Sequence, residues 1–168
     1  HAELAEVFPE SAPPLGHSPI LNAHLWYDRP VTDLDFFAMV DSRVHWVFNR
    51  SKLSGDQGPG QHLSFSISAA HDWAHRPAAE IASDCDAEIK RRFTAPAVLV
   101  RFLVSREHRA TFTASPGCAP LRPGPKTRYP NLFLAGAWTD TGYPATMEGA
   151  IRSGRAAAAA LAESVATT

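Results

Sequence analysis

Three features are scarce in this 168-residue chain: cysteine, long apolar runs and an excess of either charge. The two cysteines, Cys85 and Cys118, lie far apart without a CxxC pattern, so neither a disulfide framework nor a zinc site is indicated. No stretch reaches the roughly 18 apolar residues of a membrane-spanning helix. The net charge of −1 gives no sign of a nucleic-acid-binding surface. We therefore expect a protein of a reducing compartment, the cytoplasm.

The composition is that of a globular protein, with 45% hydrophobic and 20% charged residues. Alternating apolar residues predict strands over residues 20–27 and 62–69, and paired β-rich runs over 33–40 and 43–50 predict a hairpin. An apolar stripe at helical spacing predicts a helix over residues 78–93. Residues 97–105 are again β-rich. Residues 1–8 are typical of the end of a helix, and the proline-rich residues 9–19 predict a loop. The first part of the chain thus predicts an antiparallel sheet with one covering helix.

One face of the strand over residues 20–27 is mixed polar and aromatic. Alternation places His24 and Trp26 side by side on that face, while the other face is mainly apolar. Two interpretations stay open: the pair lines a substrate cavity, or it is half-buried sheet surface. Other histidines, His62 among them, are expected to be structural.

Residues 129–155, YPNLFLAGAWTDTGYPATMEGAIRSGR, organise the rest of the chain. The run 132–135 has the length and apolar character of a buried strand. Gly136 and Ala137 break it, a polar loop follows, and a helix is predicted from about Ala145 into the alanine-rich tail. A strand, turn and helix start of this kind points free backbone N–H groups and the positive end of a helix dipole at an electron-rich or anionic ligand.

This stretch closely resembles the C-terminal flavin-contacting motif of the FAD-dependent amine oxidase and phytoene desaturase superfamily. The segments WT, TG, PATMEGA and RSG within residues 138–154 are most similar to its hydroxysqualene dehydroxylase branch, formerly called squalene-associated desaturases. Residues 22–31, NAHLWYDRPV, and 44–49, VHWVFN, resemble the middle region of that branch. The resemblance covers most of the chain and is strongest over residues 131–154.

The resemblance implies an α+β fragment of an α/β flavoprotein. Residues 1–122 would be part of an antiparallel-sheet substrate domain, and residues 123–168 the C-terminal strand and helix of a Rossmann-type FAD-binding domain, with the proline-rich residues 120–125 at the crossing. The implied activity is FAD-dependent redox chemistry on a long isoprenoid, namely reductive dehydroxylation of hydroxysqualene to squalene. A carotenoid desaturase and a non-catalytic remnant of such a flavoprotein are the alternatives. No side chain is identified as catalytic, and no metal is expected.

The resemblance also implies the cofactor contacts. Gly136, Ala137 and Trp138 would approach the flavin on its ribityl side. The helix start would face the N1–O2 edge of the flavin; it comprises Pro144, Ala145, Thr146 and Met147. Many members of the superfamily have an aspartate where this chain has Ala137, so FAD binds more weakly here or Asp140 compensates. Glu148 either caps the helix, which is the expected role, or faces the flavin pocket, and an ion pair to Arg152 is expected.

The glycines of the chain do not form the GxGxxG pattern that cradles the FAD pyrophosphate in this superfamily. The chain begins with His1, and we expect it to be a C-terminal fragment, inactive alone, whose partner is the N-terminal Rossmann portion of the same protein. A second expected partner is the isoprenoid substrate, and peripheral contact with the membrane in which such substrates dissolve remains an open alternative.

Overall fold

A computed structural model describes residues 15–166 of the chain. Its helices and strands, in chain order, are β1 His17–Tyr27, β2 Phe36–Ala38, β3 Trp46–Asn49, α1 Arg50–Ser54, β4 Gln61–Ser68, α2 Ala78–Arg92, β5 Leu99–Phe112, a 3-10 turn Ala119–Leu121 and α3 Met147–Ala166. The five strands form one sheet in the order β2-β3-β4-β1-β5. The chain divides into two compact units, one of residues Ser18–Ala110 and the other of the remaining described residues.

The sheet has one buried and one open face. Strand β1 pairs antiparallel with β4, β4 with β3, and β3 with β2. Burial alternates along β1, where Leu21, Ala23, Leu25 and Tyr27 are buried and the intervening side chains are half-buried. The same alternation continues on β3 and on β4, where Ser64 is the exception because it is also buried, as expected for a sheet that is covered mainly on one side.

Helix α2 covers the buried face. Ile81, Cys85 and Ile89 are at most 2% exposed and pack with the apolar residues of β1, β3 and β4 in one core. The helix ends at Arg92, because the extended backbone of the C-cap residue Phe93 stops the hydrogen-bonding pattern, and three basic residues lie in the last turn. Cations there complement the negative end of the helix dipole.

Most elements of the Ser18–Ala110 unit agree with the sequence-based predictions. The strand over 20–27, the hairpin, the third strand and the helix over 78–93 are confirmed within a few residues at each end. The loop predicted over 9–19 is wrong at its end, since β1 already begins at His17 because of its pairing within the sheet. The helix end predicted over residues 1–8 lies outside the described residues.

The second unit corrects the prediction of a strand over residues 132–135. Only Phe133 forms a ladder contact, an isolated antiparallel bridge to Lys126. A strand needs a partner along its length, and the described residues supply a partner for one position only. The predicted helix is confirmed, and it begins at Met147. The predicted boundary at residues 120–125 between a substrate and an FAD domain remains a prediction.

Helix α3 has two different faces. Its buried residues, Gly149, Ser153 and Ala160, are small. Its larger apolar residues are exposed: Met147 at 87%, Ile151 at 53%, Leu161 at 49% and Val165 at 69%. At about 100° per residue, these two sets lie on opposite sides of the helix. Between residues 15 and 166, no helix combines the length and apolar character needed to cross a membrane.

Candidate functional site

A tight turn at Gly136 forms the centre of the predicted cofactor corner. Gly136 has φ of 145°, which favours glycine, and a Cβ there would lie 2.5 Å from Nε1 of Trp138. Both the backbone N–H and the hydroxyl of Thr139 donate to the Gly136 carbonyl, over 3.0 and 2.9 Å. The N–H of Gly136 donates to Oγ of Ser153 on α3 over 2.8 Å. The turn is therefore fixed to the helix that follows it in sequence.

Arg122 holds the loop that follows this turn. Its guanidinium donates to four backbone carbonyl oxygens: those of Ala137 over 3.0 Å, Trp138 over 3.3 Å, Thr139 over 2.5 Å and Tyr143 over 2.9 Å. Its Cζ lies 5.3 Å from the centre of the Phe112 ring. Arginine suits this position because its planar fork carries five N–H donors. The sequence interpretation did not identify Arg122, since nothing local indicates which distant carbonyls a side chain will meet.

The start of α3 is capped by Thr146 rather than by Glu148. Oγ1 of Thr146 accepts from the N–H of Gly149 over 3.2 Å, which is the usual N-cap hydrogen bond. The expected capping role of Glu148 is wrong, because its carboxylate instead accepts from Nε of Arg152 over 2.8 Å, the expected ion pair. A Cβ on Gly149 would lie 2.6 Å from the Pro144 carbonyl oxygen, so the chain closes tightly onto the first turn.

The first two N–H groups of α3 remain available. Within residues 15–166, the backbone N–H groups of Met147 and Glu148 have no hydrogen-bond partner, and both side chains are exposed. Pro144 and Thr146 are also exposed, while Ala145 is half-buried. Gly136, Ala137 and Trp138 are half-buried in the preceding turn. Free amides at a helix N-terminus and a glycine turn without a Cβ fit a flavin, whose reduced form is anionic.

The open face of the sheet carries a second candidate region. The register pairs His24 with Ser64, Ser64 with Phe48, and Phe48 with Phe36 in one row across four strands. A neighbouring row pairs Asn22, Ser66, Trp46 and Ala38. On β4, Ser64, which is 8% exposed, and the half-buried Ser66 thus lie between aromatic side chains on β3 and the His24–Trp26 side of β1. We call this surface the serine trough; its two walls are two strand spacings, about 10 Å, apart.

The trough is bordered by exposed aromatic rings. Phe36 is 56% and Trp46 45% exposed, and together with Phe48 they form a cluster whose ring centroids are 6.3–6.4 Å apart. Aromatic surface exposed in a contiguous patch usually marks a binding site. The open face therefore fits an apolar ligand on the side of β2 and β3.

A pair of histidines borders the other side of the trough. Nδ1 of His24 and Nε2 of His62 are 3.0 Å apart, so one ring donates to the other. Trp26 stacks on His62 with centroids 4.2 Å apart, and Cζ of Arg101 lies 4.7 Å from the Trp26 ring. His62 was expected to be structural; its contact with His24 depends on the register of β1 and β4, which places Trp26 opposite His62.

Electrostatics keep both histidines neutral near pH 7. Burial, the neighbouring His24 ring and the positive charges of Arg50 and Arg101 lower the pKa of His62 to about 4, and Asp56 has the opposite, smaller effect. Burial and Arg50 also lower the pKa of His24. Each uncharged imidazole has one donor and one acceptor nitrogen. The pair can therefore offer hydrogen bonds without adding charge to an aromatic surface.

Comparison with known proteins covers nearly the whole chain. The family model for flavin containing amine oxidoreductase matches residues 3–162. Among curated proteins, the hydroxysqualene dehydroxylase of Rhodopseudomonas palustris is 37% identical over 92% of this chain and 35% of its own length. The 15-cis-phytoene desaturase of Synechococcus elongatus is 30% identical over 85% of this chain and 32% of its own length. The chain spans about a third of the length of these relatives.

Solved structures show the same fold at low sequence identity. A protein described as a protoporphyrinogen oxidase of Exiguobacterium sp. 255-15 superimposes with a TM-score of 0.72 at 12% identity, over 98% of this chain and 39% of that one. An oxidoreductase from Methanosarcina mazei gives a TM-score of 0.58 at 15% identity, over 91% of this chain and 36% of that one. The family model, rather than these structures, confirms the expected resemblance to flavoproteins.

Proposed function

This chain belongs to the family of flavin-containing amine oxidoreductases, and we propose that it forms the C-terminal part of an FAD-dependent oxidoreductase acting on a long isoprenoid. The observation that carries the proposal is the turn and helix start over residues 136–149. There, a glycine turn tied to α3 and two unpartnered helix N–H groups lie inside the region matched by the family model.

The substrate we propose is hydroxysqualene, converted to squalene by reductive removal of its hydroxyl group. Relatives named hydroxysqualene dehydroxylase, at 37% and 36% identity over more than nine-tenths of this chain, support this choice. In this reaction a C–O bond breaks, a C–H bond forms at the same carbon, and the oxygen leaves as water with one added proton. When bound and reduced, FAD supplies the hydride.

We assign the residues of the corner to holding the flavin. The half-buried turn of Gly136, Ala137 and Trp138 would contact the ribityl side. The N–H groups at Met147, with Pro144, Ala145 and Thr146 leading into them, would face the edge that becomes negative on reduction. A helix N-terminus stabilises such charge by about 0.3–1 kcal/mol, and by more when it is partly buried.

We propose that the pyrophosphate of FAD is held by residues that this chain does not contain. The GxGxxG pattern of a Rossmann unit is absent from the sequence. In this proposal, the N-terminal Rossmann portion of the same protein completes the cofactor site, and the chain alone is inactive. The coverage of only 35–36% of the dehydroxylase relatives is consistent with that view.

The sheet face would bind the isoprenoid. The sequence left two interpretations open for Trp26 and His24, a substrate cavity or half-buried sheet surface, and their position beside the serine trough supports the cavity. A carotenoid desaturase is the second candidate, favoured by the 30% identity to the phytoene desaturase of Synechococcus elongatus. The two candidates differ in the substrate, since a desaturase acts on a hydrocarbon that carries no hydroxyl group.

The test uses the longer protein that would include this chain. We expect it to retain FAD on purification and to convert hydroxysqualene to squalene under anaerobic reducing conditions. Conversion of phytoene alone would favour the desaturase, and a purified protein without flavin would leave only a non-catalytic remnant.

A substitution tests the placement of the ribityl chain. Ala137→Asp should raise the fraction of protein that retains flavin, because many members of the superfamily have an aspartate there. Ala135→Asp is the matched control, an exposed alanine two residues earlier. Equal flavin content in the two variants would contradict the placement.

A further inference from the structure

The His24–His62 pair has unused hydrogen-bonding capacity at its outer nitrogens. Two neutral imidazoles carry two N–H donors and two acceptor nitrogens, and the 3.0 Å bond between them uses one of each. Within residues 15–166, neither ring makes another side-chain hydrogen bond. One donor and one acceptor therefore remain, at Nε2 of His24 and Nδ1 of His62. The tautomers of the two rings determine which of these nitrogens is the donor.

The two half-buried rings lie on the face of the sheet that also carries the serines of β4 and the aromatic residues of β2 and β3. Across the sheet from His24, the same row contains Ser64, Phe48 and Phe36. Trp26 stacks on His62 and holds its ring in place. An elongated apolar molecule lying along this row would contact aromatic rings at one end and meet the imidazole pair at the other.

We infer that the His24–His62 pair is a hydroxyl-recognition subsite, which binds the alcohol group of a hydroxylated isoprenoid and disfavours the corresponding hydrocarbon. This inference rests on the proposed function and deepens it, since it names the group that distinguishes substrate from product. It adds His62 to His24 and Trp26, for which a substrate cavity was one of the two interpretations that the sequence left open.

The preference for the alcohol over the hydrocarbon follows from the hydrogen bonds that each can form with the pair. A hydroxyl group is both donor and acceptor, so it can satisfy either outer nitrogen in either tautomer. A hydrocarbon covering the same nitrogens would remove them from water without replacing the lost hydrogen bonds, which is unfavourable. Sites built to bind a substrate hydroxyl reject analogues that lack it. Because these rings are only half-buried, we expect a preference of about tenfold, which would also favour release of the hydrocarbon product.

The neutrality of the pair supports this role. Burial, His24, Arg50 and Arg101 lower the pKa of His62 to about 4, so the pair carries no charge near pH 7. A charged pair would retain water tightly and oppose contact with an apolar chain.

The experiment measures equilibrium binding of hydroxysqualene and of squalene to the flavin-loaded, oxidised longer protein, in which no turnover occurs. The wild-type protein should bind the alcohol about tenfold more tightly than the hydrocarbon. In His62→Phe and in His24→Phe, each of which keeps a ring but removes the nitrogens, the ratio should fall towards one. His62→Gln, which keeps a donor and an acceptor, should retain part of the preference.

His75→Phe is the matched control, because His75 is exposed and stacks on His108 with centroids 6.0 Å apart, outside the trough. It should leave the ratio unchanged. Flavin content, measured on each variant, separates the two levels of the proposal. If the wild-type protein contains no flavin, the proposed function fails; if it contains flavin and His62→Phe and His24→Phe both keep the tenfold preference, the hydroxyl subsite is wrong. Should one phenylalanine variant fail to fold, the other carries the same test.

Discussion

Replacing Arg122 should loosen the loop that follows the flavin-type turn. Its guanidinium donates to the carbonyl oxygens of four loop residues, at 2.5–3.3 Å. A hydrogen bond from a charged donor contributes about 1.5–3 kcal/mol when water cannot replace it. Tyr143 is exposed, so its carbonyl can turn to water, whereas Thr139 is only 2% exposed. Counting only the hydrogen bond to the buried Thr139 carbonyl, at the upper end of this range, Arg122→Met should destabilise the loop by about 3 kcal/mol.

Amide hydrogen exchange measures this change where it occurs. The N–H of Asp140 donates to the Pro123 carbonyl over 2.8 Å, and the N–H of Thr139 donates to Gly136 over 3.0 Å. A loss of 3 kcal/mol corresponds to exchange about a hundredfold faster at these two amides, because each 1.4 kcal/mol is a factor of ten. Arg122→Lys should give an intermediate rate, since an ammonium group cannot reach four carbonyls in one plane.

Arg155→Met serves as the control for Arg122→Met. Arg155 is an exposed arginine of α3 in the same unit, and removing it takes away the same charge. If exchange at Asp140 and Thr139 is equally fast in the two variants, Arg122 does not hold the loop and its four contacts contribute nothing measurable.

Three further outcomes are expected. Gly149→Ala should lower the free energy of unfolding by about 1–3 kcal/mol in urea titrations, because its Cβ would lie 2.6 Å from a backbone carbonyl oxygen; Gly154→Ala, with open space around it, should be neutral or stabilising. In an NMR titration His62 should take up its proton near pH 4. In the unfolded chain this histidine takes up its proton near pH 6.5, so its contribution to the free energy of unfolding is complete above that pH and declines as the pH falls towards 4. A urea midpoint that stays constant from pH 7 to 4.5 would contradict the lowered pKa of His62. Cys85, whose pKa burial raises to about 12, should resist iodoacetamide in the folded chain while Cys118 reacts, and equal labelling of both would contradict the packing of α2.

The sheet unit could be predicted from the sequence because its information is local. Alternation along residues 20–27 indicates both a strand and the side that faces the core, and burial along β1 follows that alternation. The apolar stripe of α2 likewise predicts Ile81, Cys85 and Ile89 as its buried side. Such periodic patterns need no knowledge of distant residues.

The candidate sites could be predicted only in part, because their contacts are made between distant residues. The role of Arg122 depends on carbonyls 15 to 21 positions away. The pairing of His24 with His62 depends on strand register. Residues 132–135 had the composition of a strand, yet a strand forms only beside a partner, and composition does not show whether one is present. Thr146 rather than Glu148 caps α3, and the sequence analysis did not identify Thr146 because the cap depends on which side chain meets the Gly149 N–H.

The exposed apolar residues of α3 have a practical consequence for handling the polypeptide. Met147, Ile151, Leu161 and Val165 are all about half exposed or more, so they contribute little to the packing of the chain itself. In concentrated aqueous samples they should make the chain adhere to phenyl resins and scatter light unless a mild detergent is present. Exchanging the four for glutamine should restore clear solutions without lowering the urea midpoint, since none of these side chains would leave a void behind.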